Sequence, residues 1–229
     1  MSAPIARTWM DRVAHDLRGP LAPMQTAVYL LRDPRIADGQ RDELLAVLER
    51  QIQRLGGMIE EFSDLGRAGT GQLLVRRESI DVELLVSDTA SRLQARAPQV
   101  SWGPGVQGLE IEGDVLRIAQ LFHTLLGMQL SRGQPEPVEA RLELAGRRLR
   151  MTCALHCSGV SDALIASLLT SPHPDPPDDA LGLGLMIAAA IAQAHGGSLQ
   201  GRAGAGDRVE LVLELPAGRD ASAAGSAPD

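Results

Sequence analysis

Two apolar seams on either side of a short breaker constrain this chain more than any other feature. Met10, Ala14, Leu17, Leu21, Met24, Val28 and Leu31 recur at alternating steps of four and three, the signature of one stripe along a helix. Leu45, Leu48, Ile52, Leu55, Ile59 and Phe62 repeat the pattern. Pro34 and Gly39 lie between the seams as breakers. Two long helices joined by so short a turn run antiparallel. Seam against seam leaves Val13, Leu30, Leu44, Val47 and Met58 facing water. A second copy completing a four-helix bundle covers them, so the pattern predicts a homodimer through the hairpin.

Near the start of the first helix stands HDLRGPL, residues 15–21. His15 follows the seam residue Ala14, so it points off the seam and toward solvent. Pro20 removes a helical hydrogen bond and kinks the helix, at about 3 kcal/mol. Gly19 beside it weakens the helix further. A kink one turn after an exposed His15-Asp16 pair is hard to explain by stability alone.

The pattern changes after Arg67. Residues 73–78 read as a strand and 80–97 as a helix, followed by short strands around the GPG turn. Residues 114–131 read as a helix with Asp114 near its N-terminus. A hairpin turns at Gly146. Four prolines in SPHPDPPDDA impose a loop. A helix then runs to Gly196-Gly197, a normal stop, and two strands close the domain. The expected class is α+β: a helical hairpin over residues 1–68, then a mostly antiparallel sheet under about three helices over 72–216. The small-residue tail, 217–229, is expected to be disordered.

Bulk properties narrow the function. The net charge is −7, from 22 basic and 29 acidic residues, which argues against nucleic acid or membrane as a partner. Every basic residue is Arg, so no lysine can serve a phosphate site. Cys153, His156 and Cys157 are too few for a metal site, and two free thiols suit a reducing compartment. No signal peptide and no membrane-length apolar run is evident. A cytoplasmic protein is expected.

With these residues in place, the chain resembles the core of a bacterial sensor histidine kinase. VAHDLRGPLAPMQTAVYLLR looks like the H-box of the dimerisation and histidine-phosphotransfer hairpin. Residues 72–216 look like the Bergerat-type ATP-binding domain, with ALGLGLMIAAAIAQAHGG as its glycine box and following helix. The resemblance implies that His15 carries a phosphoryl group and that Asp16 orients the imidazole and acts as its base. Arg18, Gly19 and Pro20 support them. Neutral imidazole is a good nucleophile near pH 7, and an adjacent carboxylate raises its basicity.

The chain departs from the family at the nucleotide. Thr124 and Met128 fall where asparagines hold Mg²⁺, and a thioether offers that ion no hard oxygen. Ser131 falls where a basic residue is common. In LHCSG, Leu155 replaces the aspartate that accepts the adenine amino group, and Cys157 replaces a glycine. Gly182 and Gly184 survive, and close packing at a helix start accounts for them. Gly19 stands where Thr or Asn often positions water for a phosphatase reaction.

Three functions remain open on these residues. A dimeric histidine phosphotransferase would exchange a phosphoryl group between His15 and response-regulator receivers, fed by an upstream hybrid kinase. It would bind no cofactor or metal itself, with Mg²⁺ held in the receiver. A sensorless active kinase would bind ATP through other acids, such as Asp162, Asp178 or Asp179. A non-catalytic module would only bind receivers.

Overall fold

The computed structural model describes residues 12–93, 96–132, 134, 136–177, 180–204 and 206–217. It divides into two compact units, Met1–Ser63 with Asp179–Leu181, and Asp64–Asp178 with Gly182–Asp229.

The first unit is helical. Helix α1 covers residues 12–18, α2 spans Leu21–Leu31 and α3 spans Asp38–Gly69, whose final turns belong to the second unit. The turn between α2 and α3 is braced by Arg35, whose backbone N–H and Nε donate to Asp33 Oδ1 at 2.9 and 3.1 Å.

The burial departs from the expected assignment of the apolar rows, although Ala14, Leu17, Met24, Leu31, Leu48 and Leu55 of the seams are half-buried. Val13, Ala27 and Met58 are 5%, 0% and 1% exposed, and Pro20 is buried with them. Leu44 and Val47 are half-buried, and only Leu30 of that set is exposed. Of the two seams, Leu21, Val28, Leu45, Ile52, Ile59 and Phe62 are between 41% and 56% exposed. The two rows lie side by side on each helix, one residue apart, and spacing does not say which of them faces the other arm. The start of the first helix, including Met10, and the tail from residue 218 lie outside the described residues.

The second unit holds strands β1 (Glu78–Asp81), β2 (Gln99–Trp102), β3 (Glu110–Gly113), β4 (Glu139–Ala145), β5 (Arg148–His156), β6 (Ser198–Ala203) and β7 (Arg208–Pro216). Helices α4 (Val82–Arg92), α5 (Val115–Leu126), α6 (Asp162–Leu168) and α7 (Gly184–Ala194) intervene. Five strands form one sheet in the order β2-β4-β5-β7-β6, with β2 parallel to β4 and the other pairs antiparallel. Strands β1 and β3 form a separate antiparallel pair.

Alternation divides the large sheet into two faces. Leu142, Leu149, Met151, Leu211 and Leu213 are at most 1% exposed, as are Ile118, Leu121, Phe122 and Leu125 of α5. The opposite face carries cross-strand ion pairs, including Arg150 with Glu214 at 2.7 Å and Arg202 with Glu210 at 2.6 Å. They satisfy each other at a wet surface, where such pairs add little stability.

The strand expected over 73–78 is not formed; β1 begins only at Glu78. The backbone N–H groups of Val75 and Arg76 donate to Asp114 Oδ2 at 2.9 and 3.3 Å instead of to a ladder. The helices are also shorter than expected. Asp81 caps α4, accepting from the Leu84 N–H at 2.9 Å, and α5 ends at Leu126 against Gly127. No helix among the described residues is long and apolar enough to cross a membrane.

His195, just after α7, is 5% exposed and uses both ring nitrogens. Nδ1 bonds the Ile191 carbonyl at 2.8 Å, and Nε2 accepts from the Asp114 N–H at 3.0 Å. Those bonds fix a neutral tautomer. Desolvation holds the ring below its usual 6.5, against the Ile191 carbonyl, which raises it. The unfolded chain therefore takes up a proton first as pH falls. Stability from this site is complete above about pH 6.5 and declines below it. Thermal melts at pH 7.5 and 5.5 should show the native protein weakened at the lower pH. His195→Leu should remove that difference and cost about 1–3 kcal/mol at pH 7.5 and less at pH 5.5, because it strands the buried Asp114 N–H.

Candidate functional site

Helix α1 stops at the glycine and proline. Pro20 has no N–H to give, and the Gly19 N–H splits between the carbonyls of His15 and Asp16, each at 3.2 Å. Helix α2 restarts with the Met24 N–H donating to the Pro20 carbonyl at 3.4 Å. A side chain at Gly19 would meet the Asp16 carbonyl at 3.2 Å, so the tight turn favours glycine. His15, Arg18 and Gly19 are exposed, and Asp16 is half-buried.

Sequence reasoning assigned Asp16 to His15. The structure gives its carboxylate a different partner: Arg12 Nε lies 3.5 Å from Asp16 Oδ2, one helical turn back. Arg12 went unremarked in the sequence, although its spacing to Asp16, four residues, is the signal of a helical ion pair.

The second group of positions lies around α5 and the end of β5. Leu155 is 2% exposed, Cys157 5% and Met128 6%, and all three side chains are packed away from water. The Thr124 hydroxyl donates back to the Gln120 carbonyl at 3.0 Å. Cys157 Sγ donates to Ser131 Oγ at 3.5 Å, and the Cys157 N–H donates to the Asp207 carbonyl at 2.8 Å. Asp162 accepts from the Ala203 N–H, which ties it to β6. Asp178 and Asp179 lie outside the described residues.

The two glycines have separate reasons. Gly182 has φ +73°, and a Cβ there would sit 2.8 Å from His173 Cβ and 2.9 Å from the His173 carbonyl. The His173 N–H donates to the Gly182 carbonyl at 2.8 Å, holding the proline-rich loop to the start of α7. Gly184 opens α7, and a Cβ there would make only ordinary contact with Thr124 Cγ2 at 3.5 Å. His156 Nδ1 faces Glu136 at 3.0 Å on the surface. Among the described residues no three His, Cys, Asp or Glu side chains are arranged to hold a metal ion.

Residues 6–71 match the His Kinase A (phospho-acceptor) domain. The sensor protein SphS of Synechococcus elongatus is 28% identical over 90% of this chain and 54% of its own length. The signal transduction histidine-protein kinase BaeS of Escherichia coli K12 is 26% identical over 93% and 47%. The Acinetobacter baumannii histidine kinase AdeS superposes with a TM-score of 0.67 over 90% of this chain and 98% of its own, at 18% identity. The histidine kinase ThkA, solved with the response regulator TrrA, superposes at 0.64 over 90% and 60%, at 15% identity.

Over most of its length the chain is similar to the cores of two-component histidine kinases, with a His Kinase A domain at residues 6–71. It spans about half or less of the length of the first curated relatives it matches. In this kinase-type core the helical hairpin comes first and the α+β domain follows, with His15 inside the matched phospho-acceptor region.

Two buried positions can be tested directly. Leu155→Asp places a carboxylate in apolar packing and should cost about 2 kcal/mol or more by urea unfolding. Burial pushes the Cys153 thiol up to about 12, so native protein at pH 8 should leave Cys153 unlabelled by iodoacetamide while unfolded protein labels fully.

Proposed function

We propose that this chain is a dimeric histidine phosphotransferase, exchanging a phosphoryl group between His15 and the receiver domains of response regulators. The observation that carries the reading is a contrast. His15 is exposed at the break between α1 and α2, whereas Leu155 and Met128 occupy the expected adenine and Mg²⁺ positions with buried apolar side chains. A leucine accepts no hydrogen bond from an adenine amino group, and leaving that group unpaired costs about 1–3 kcal/mol. A methionine sulfur is a poor partner for Mg²⁺. These residues do not fit ATP with Mg²⁺.

The transfer itself needs no nucleotide. The neutral His15 imidazole attacks the phosphorus of a receiver acyl phosphate. The nitrogen–phosphorus bond forms, and the phosphorus–oxygen bond breaks with its electron pair on the receiver carboxylate. Positioning supplies most of the rate. Mg²⁺ belongs in the receiver, and an upstream hybrid kinase is the source of phosphate. ThkA's complex with a response regulator supports a partner of this class. The free buried cysteines suit a cytoplasmic setting.

Calorimetry with ATP and Mg²⁺ tests the reading. Binding weaker than about 1 mM (a free energy near −4.1 kcal/mol) is expected. A phosphorylated receiver should label the native protein and not His15→Gln. Tight ATP binding followed by label on His15 would make the chain an active kinase. Unlabelled protein with receiver still bound would make it a docking module.

The exposed row on α2 and α3 is the surface we assign to the second copy. Ile52→Glu combined with Ile59→Glu should convert the dimer to a monomer by light scattering, with the helical circular dichroism signal largely kept. A native protein that is already monomeric at tens of micromolar would refute this assignment.

A further inference from the structure

We infer that Arg12 is a phosphoryl-binding and positioning residue that exchanges partners when His15 is loaded. The inference rests on reading His15 as the phosphoryl acceptor. Three facts carry it. Arg12, His15 and Asp16 share one uninterrupted stretch of α1, residues 12–18. Arg12 pairs with Asp16 at 3.5 Å, both side chains about one-third exposed, at 32% and 27%. His15 stands three residues after Arg12, so the two are neighbours on the helix surface, with Cβ atoms about 5–6 Å apart.

In the resting state the guanidinium occupies the carboxylate that His15 would otherwise use. Transfer changes the charges. The imidazole lone pair forms the bond to phosphorus, the receiver carboxylate leaves with its electron pair, and the ring's other nitrogen keeps its proton. The product holds a doubly negative phosphoryl group on a ring that is now an imidazolium. Beside an unpaired Asp16 this would crowd two anions on one helical turn. Arg12 resolves the conflict by leaving the carboxylate for the phosphoryl oxygens, which guanidinium recognises with charge-assisted hydrogen bonds. Asp16 is then released to accept the imidazolium N–H. One ion pair is thus replaced by two interactions that exist only in the loaded state, which shifts the equilibrium with a receiver toward phosphohistidine.

Arg18, three residues beyond His15, is also exposed and offers a second cation. What sets Arg12 apart is its resting partner: only a residue that already holds Asp16 can release it on loading. Gly19, one turn after His15, puts no side chain in the way of the incoming group.

Phosphoramidate, a small phosphoryl donor, loads histidine without a receiver or ATP. The experiment follows phosphohistidine on the full chain by ³¹P NMR for the native protein, Arg12→Gln and Arg12→Lys, at low and high salt. Circular dichroism and light scattering on each sample establish that fold and association are unchanged. The glutamine variant should lose its phosphoryl group about threefold faster at low salt, the size expected of a half-exposed ion pair. Lysine should restore most of the lifetime. High salt should shorten the native lifetime and leave the glutamine variant nearly unmoved. Equal lifetimes in native and glutamine proteins, with His15 loaded in both, would overturn the role of Arg12 alone. Native protein that loads no phosphate on His15 would overturn the acceptor reading, and the role of Arg12 with it.

Discussion

Arg117 stands between two buried carboxylates, and the α+β unit is organised around that arrangement. Its backbone N–H donates to Asp114 Oδ1 at 3.3 Å, and its Nη1 donates to Asp64 Oδ1 at 2.8 Å. Its Nε reaches the Leu73 carbonyl at 3.2 Å, and Gln120 adds a 2.7 Å bond to the other Asp64 oxygen. Asp114 also accepts from Val75 and Arg76, while its own N–H goes to His195. Desolvation alone would raise the Asp114 carboxyl, but the N–H donors of Val75, Arg76, Arg117 and Leu116 outweigh it and hold it below 3.8. The end of α3, the linker, the start of α5 and the end of α7 therefore share one polar cluster. Buried charges of this kind persist only when every lone pair is answered.

Part of that cluster is visible in the sequence and part is not. Asp114 precedes an apolar-periodic run, so its capping role is legible. Asp64 sits in a polar stretch, EEFSD, and reads as a solvated residue. Nothing local distinguishes it from Glu60, which is exposed, whereas Asp64 is 5% exposed. Its burial comes from Arg117 and Gln120, more than fifty positions away. The missing strand at residues 73–77 has the same origin. Its residues have strand propensity, but the N–H groups that a ladder would use are taken by Asp114.

The helical hairpin shows a different limit. Periodicity finds both helices and the break at Pro34, because 3.5-residue spacing survives in any helix that buries a stripe, whereas Gly39, expected as a second breaker, lies inside the first turn of α3. It does not rank two adjacent stripes. Helix α3 carries one row through Leu44, Val47 and Met58 and another through Leu45, Ile52 and Ile59, and both are equally apolar on paper. Only the burial separates them, with Met58 at 1% and Ile59 at 56%. A helix with two apolar rows has two neighbours to satisfy, which a hairpin alone cannot supply.

At the candidate site, residue types were legible and partners were not. His15 was correctly expected at the surface, since it follows Ala14 off the apolar rows. Pro20 was expected to kink the helix, and it ends α1 outright. Arg12 was passed over because a single arginine one turn before the histidine looks like ordinary solvated charge. Its meaning depends on which of two acceptors, a carboxylate now or a phosphoryl group later, it faces. That choice is set by the charge state of His15, a variable that residue spacing does not contain. Where a site works by changing charge, its residues keep access to water and stay rearrangeable, as the exposed His15 and the half-buried Arg12 and Asp16 do. Leu155 and Met128, by contrast, are buried apolar side chains fixed by packing, with no charge to change.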